Sequence, residues 1–147
     1  KFTAEGFFRL NSVSGGDAQL LSNLGSGAGT FVVRFTDTSN AIDLLVDGTL
    51  RKTGITVAAD QWFYVSVSYD YANWYFHTGL VSAGIATLAS GTPYAQAANV
   101  MDAGFYVGGV ASGGTLKGFF SQVRVTGGVA MNTNSAIVIP QAPFATA

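Results

Sequence analysis

The feature that most constrains this chain is the recurrence of short β-rich runs divided by turn residues, with helical periodicity nearly absent. The runs are FTAEGFFRL (2–10), AQLLSN (18–23), TFVVRFTD (30–37), AIDLLVDG (41–48), GITVA (54–58), QWFYVSVSYD (61–70), WYFHTGLVSA (74–83), GFYVGGV (104–110) and LKGFFSQVRVT (116–126). They follow one another at roughly 8–12-residue spacing, punctuated by Gly, Asn and Asp, which indicates an all-β sandwich or barrel. Asp47-Gly48 and Asn11-Ser12 fit tight turns, and GSGAG (25–29) and ASGG (111–114) fit hairpin tips. The less regular segment 84–103, GIATLASGTPYAQAANVMDA, reads as a long surface loop of the kind that often carries function. Pro140 and Pro143 in the tail suit an extended edge segment rather than a central strand.

Side chains alternate across a strand, so QWFYVSVSYD carries two faces. Phe63, Val65, Val67 and Tyr69 are the apolar set and are expected to face a partner sheet. Tyr64, Ser66 and Ser68 are expected to line an exposed, concave face, because serines are too small and polar for an inter-sheet core.

With 147 residues the chain is the size of one domain, 1–147, and buries roughly 68–70% of its unfolded surface without staples. No cysteine is present, so disulfides and thiolate metal sites are impossible. Only 10% of residues are charged, against about 25% in ordinary domains. Net charge is −1 with no basic cluster, which disfavours nucleic acid and anionic membrane as partners. No run approaches ~18 uninterrupted apolar residues. Low charge beside 48% hydrophobic residues predicts a surface partly covered by other subunits, hence a homo-oligomer. The chain opens on Lys1, with neither an initiator Met nor an apolar leader, as expected of a processed or excised product.

The order of motifs resembles the laminin G-like domains of the concanavalin A-like lectin/glucanase superfamily. FTAEGFFRL is similar to the opening strand, and QWFYVSVSYD to the central W-x-x-V-A-V-x-Y-D strand. WYFHTGLVSAG is similar to the hairpin that follows, and FYVGG with GTLKGFFSQVRVTGGVA to the late glycine-rich segment. IPQAPF resembles the close of such domains in phage tail and virion proteins. The likeness spans residues 2–144 and implies a jelly-roll sandwich of two antiparallel sheets, one concave and one convex. It implies binding of glycans or proteins, with catalysis in a minority of members. His77-Thr78-Gly79 stands where the family has Asp-Gly, and Ser121-Gln122 stands where it has an acidic pair. Both changes remove carboxylates and, with them, the family's usual means of holding calcium.

Glycoside hydrolysis needs two carboxylates about 5–5.5 Å or about 6.5–9.5 Å apart. Glu5 is the single glutamate, and the superfamily's Glu-x-Asp-x-x-Glu strand is missing. Asp43 and Asp47 share a face, but the second belongs to a turn. His77 is the sole histidine, reads as a residue of a hairpin tip, and has no G-x-S-x-G elbow to serve. The aspartates form no D-x-D-x-D cluster, and neither metal nor cofactor is expected. The aromatics offer more. YDYANWYFH (69–77) interleaves rings with Asp70 and Asn73, the mixture that suits a sugar's apolar C–H face and its hydroxyls. Tyr71, Asn73, Trp74, His77 and Tyr94 are therefore the expected glycan-contacting residues. The resulting expectation is a non-catalytic module recognising a cell-surface glycan or receptor on a phage virion, in a tail fibre or capsid decoration, among other virion proteins. Its rival is a structural cement or self-assembling subunit that binds no ligand.

Overall fold

The computed structural model of the chain describes residues 1–23, 30–96, 104–109 and 116–141. The expected tips at 25–29 and 111–114, residues 97–103 of the expected loop, and Pro143 lie outside the described residues. The strands in chain order are β1 (Phe2–Leu10), β2 (Ala18–Ser22), β3 (Phe31–Thr36), β4 (Ala41–Val46), β5 (Thr49–Thr56) and β6 (Trp62–Tyr69). They continue as β7 (Asn73–Leu80), β8 (Ile85–Leu88), β9 (Tyr94–Ala95), β10 (Tyr106–Val107), β11 (Gly118–Gly127) and β12 (Ala136–Val138). One sheet runs β11-β1-β6-β7-β8-β12, with β9 also paired to β7, and the other runs β10-β2-β3-β4-β5. Every pairing is antiparallel. The two sheets stack as a sandwich, as the run pattern allows, and form the jelly roll that the resemblance implies.

Between the sheets lies one core. Phe63, Val65, Val67 and Tyr69 of β6 are buried in it as expected, against Phe31, Val33 and Phe35 of β3 and Leu44 and Val46 of β4. At one end the Phe2 ring stacks on Phe31 (centroids 5.4 Å apart) and meets Trp74 edge-on at 5.7 Å. Tyr69 lies 4.6 Å from Trp74. Such ring pairs contribute about 0.5–1.5 kcal/mol each beyond the area they bury.

Asp47 and Gly48 both take positive φ, 52° and 71°, and turn β4 into β5 as a tight hairpin. Asn11-Ser12, by contrast, opens a longer connection: β1 and β2 belong to different sheets, so no two-residue turn can join them. GITVA does not stand alone either, since Gly54 to Thr56 complete β5. The segment from 84 onward begins with a strand rather than a loop. Val81–Ala83 form a single 3₁₀ turn, Gly84 reverses the chain at φ 72°, and β8 returns along β7. That close return requires Gly79, where any Cβ would run into the backbone of Ile85 and Ala86.

The larger correction concerns the second face of β6. Tyr64, Ser66 and Ser68 are buried rather than exposed. After β11 the chain turns at Gly128 and residues 129–135 cross the outer face of the larger sheet as a strap, then enter β12, which pairs with β8 at the edge. Ile139 closes the strap's far end over Tyr64 and Ala86. The edge position of β12 agrees with the extended edge segment expected beside Pro140.

Candidate functional site

The strap explains why polar residues line a buried face. Met131 N donates to Thr3 Oγ1 at 2.8 Å and Asn132 N to Ser68 Oγ at 3.3 Å. His77 Nε2 lies 2.6 Å from the Asn134 carbonyl, and Leu88 N donates to Ser135 O at 2.9 Å. In sequence order these contacts step from β1 to β6, β7 and β8. A strap crossing strands cannot form a ladder, so its backbone groups need side-chain partners, and the small hydroxyls supply them.

Glu5 anchors the centre. Its carboxylate accepts from the Tyr64 hydroxyl, from Arg124 Nε at 2.8 Å and the Arg124 terminal nitrogen, and from Asn132 Nδ2 at 3.2 Å. Burial, then the adjacent Glu5 charge and its hydrogen bond, push the Tyr64 phenol far above its ordinary range. The chain's single glutamate is thus saturated by structural partners and sealed from solvent, an arrangement suited to holding the strap rather than to acid–base chemistry.

His77 lies in mid-strand beneath the strap, fully buried, not at a hairpin tip. A carbonyl only accepts, so Nε2 carries the proton, and Nδ1 is buried without a partner among the described residues. Burial lowers its pKa, with the Asn134 hydrogen bond opposing. A sugar cannot reach it. Trp74 is corrected likewise: it is 1% exposed, packed among Phe2, Phe31 and Tyr69, and presents no free ring face. The strand parity of β7 decides both outcomes, since Trp74 and Phe76 point into the sandwich while Tyr75 and His77 point to the strapped face.

Tyr94 pairs with Trp74, so its ring follows Trp74 inward and packs against the core; Arg51 lies 4.9 Å from its centroid. Asn73 pairs with Ala95 and shares the outer side with Tyr75. The five expected contacts therefore do not converge. Two of them, Tyr71 and Asn73, stand together on the β6–β7 hairpin with Asp70 and Tyr75. Asp70 Oδ1 accepts from the amides of Ala72 (2.9 Å) and Asn73 (2.7 Å), and Oδ2 from the Tyr75 hydroxyl at 3.0 Å. Desolvation works against the Asp70 charge, yet those amides and the hydroxyl outweigh it and hold the carboxyl below its ordinary range. Tyr71 itself is 55% exposed and has φ 86°, a left-handed conformation that bulky residues rarely adopt. Tyr69 holds it there by donating its hydroxyl to the Tyr71 carbonyl at 2.9 Å.

Among the described residues no group of three or more His, Asp or Glu gathers to hold a metal ion. No helix among them is long and apolar enough to cross a membrane.

No protein-family model and no curated protein matches the chain. Among solved structures it is similar to the native heptameric SAP-like pentraxin from Limulus polyphemus, at 14% identity and a TM-score of 0.42. That likeness covers 84% of this chain and 62% of the pentraxin, so the chain spans less than two thirds of its neighbour's length.

Proposed function

We propose that the chain is a non-catalytic recognition module that binds a cell-surface glycan or receptor through the β6–β7 hairpin. The observation that carries this reading is Tyr71, an exposed ring held on a left-handed backbone. Such a conformation costs about 1–3 kcal/mol and persists only where the surroundings impose it, most often at binding or catalytic positions. A flat ring on the same hairpin as Asn73 and the charged Asp70 offers a platform to a sugar's apolar C–H face, with Lys1 Nζ 5.6 Å from its centroid and polar partners for hydroxyls on the same turn. The non-catalytic part is supported by the saturated state of Glu5 and the burial of His77. Placement on a phage virion, in a tail fibre or capsid decoration and outside the cell, rests on the resemblance of residues 118–144 to such domains. The test is a glycan array of bacterial surface polysaccharides probed with the purified chain. Binding that falls at least about tenfold in Tyr71→Ala and Asn73→Ala supports the reading. An array without bound glycan, or binding indifferent to both variants, overturns it.

A second reading, a self-assembling structural subunit, is favoured by the outer strands of the larger sheet. β11 and β12 close its two edges, and Phe119, Phe120, Val125 and Val138 on them are exposed. Long apolar edges are templates for association. Sedimentation as a monomer at high concentration removes this reading and the homo-oligomer with it.

A further inference from the structure

Among the described residues, the strap leaves one part of the outer face uncovered. It seals β6 from Ser68 to Tyr64 and departs at Pro140, so Trp62, the next residue on that face, stays 37% exposed. Beside it is a groove of about 230 Å³ lined by Phe7, Trp62, Val81, Ser121, Gln122, Pro140 and Gln141. Trp62 and Tyr69 begin and end β6, seven residues and so roughly 23 Å apart. The groove is thus remote from the hairpin that carries Tyr71.

The groove's polar wall is built by a bulge. Glu5 pairs with Arg124 and Phe7 with Ser121, so the single residue Gly6 opposes both Gln122 and Val123. A Cβ on Gly6 would lie 2.9 Å from Val123 Cγ2, and Gln122 takes φ 50°. Bulges re-aim side chains beside functional sites, and here a strained backbone presents Gln122 to the groove. At the opposite wall Gln141 Nε2 donates to the Ile139 carbonyl at 3.0 Å, which ties down the amide and leaves Oε1 as an acceptor. Ser121 adds a hydroxyl.

From these features we infer that the Trp62 groove binds one uncharged pyranose residue of a glycan, stacked on the indole and hydrogen-bonded by Gln122, Gln141 and Ser121. Three properties select that ligand. The volume is below the roughly 300–1,000 Å³ of sites for drug-sized molecules, which leaves room for a single ring. Among the described residues no ionisable side chain lines the groove, so a carboxylate or phosphate finds no counter-charge from them there. Arg9 sits against the Trp62 ring at 5.9 Å, but its guanidinium is shared with Phe119 and Asp60 and does not line the groove. The apolar contacts, Phe7, Trp62, Val81 and Pro140, meet a sugar's C–H face, while two amides and a hydroxyl match its hydroxyl groups.

This site is independent of the hairpin reading, and either can fail alone. The chain has two tryptophans, of which Trp74 is buried in the core, so a change in fluorescence on titration reports Trp62. The intact chain is titrated with methyl glycosides of neutral hexoses and N-acetylhexosamines, and with glucuronate as the charged control. A saturable response to a neutral glycoside is expected, at least about tenfold weaker for glucuronate. In calorimetry Trp62→Ala and Gln122→Gly are expected to lose at least about tenfold in affinity, while Leu50→Ala, an exposed change on β5 outside both sites, retains it. Gln122→Gly also guards against misfolding, because glycine relieves the left-handed backbone. No saturable response to any neutral glycoside, equal binding of glucuronate, or unchanged affinity in both groove variants overturns the site.

Discussion

Glu5 and Arg124 face one another across paired strands, and the Arg124 guanidinium closes on one oxygen of the Glu5 carboxylate while Tyr64 and Asn132 take the other. This is the anchor of the outer face: four side chains from β1, β6, β11 and the strap meet at one buried acid.

Removing that acid is expected to take from Arg124 its ion pair with Glu5 and from Tyr64 and Asn132 one acceptor each. Breaking one side of a buried pair costs about 3–5 kcal/mol. Arg124 is partly exposed and can rehydrate, so Glu5→Gln is expected at the lower end, about 3 kcal/mol. Urea unfolding checks it, with Tyr64→Phe as a milder companion at about 1–2 kcal/mol.

Asn132 fastens the strap. Its amide has two hydrogens, and the shortest contacts are Ser66 Oγ at 2.8 Å and Glu5 Oε2 at 3.2 Å. Asn132→Ala is expected to cost about 2 kcal/mol and to speed amide hydrogen exchange across 129–135 while leaving β3 and β4 protected. Uniform acceleration throughout the chain would show instead that strap and sandwich open together.

His77 makes stability depend on pH. Its pKa is lowered in the fold, by burial above all. Above about pH 6.5 the ring is neutral whether the chain is folded or not and adds no slope. Below it the unfolded chain takes up a proton that the fold resists, so stability falls as pH drops through about 6.5 toward the folded pKa. The urea midpoint is expected to decline from pH 7 to about pH 5, and His77→Gln to flatten that decline.

Two aromatic residues three positions apart are expected to respond in opposite ways. Trp74→Ala empties a core site and is expected to cost about 3–5 kcal/mol. Tyr71→Gly relieves a left-handed backbone and is expected to raise stability by about 1 kcal/mol while weakening glycan binding. Thermal unfolding and glycan binding measured on the same two samples decide both.

The inward residues were legible because alternation is a local property: Phe63, Val65, Val67 and Tyr69 could share only one face of an extended chain. The tight turn at Asp47-Gly48 was legible for the same reason, as positive φ at both positions is a demand on those two residues alone. The five expected sugar contacts do not share a face, because short runs do not show where a strand begins. Once β7 begins at Asn73, parity sends Trp74 inward and places His77 beneath the strap.

Local sequence by itself therefore determined an all-β chain, the apolar side of its strands and the tightest of its turns, since each depends on neighbours in the chain. What covers the other side of β6 was decided only by tertiary structure. Ser66 and Ser68 read as solvent-facing until a segment more than sixty residues away lies across them, and Trp62 becomes a groove wall only because that segment leaves at Pro140. The physical reason is that a polar side chain satisfies its hydrogen bonds equally well with water or with a distant backbone, and its identity does not distinguish the two.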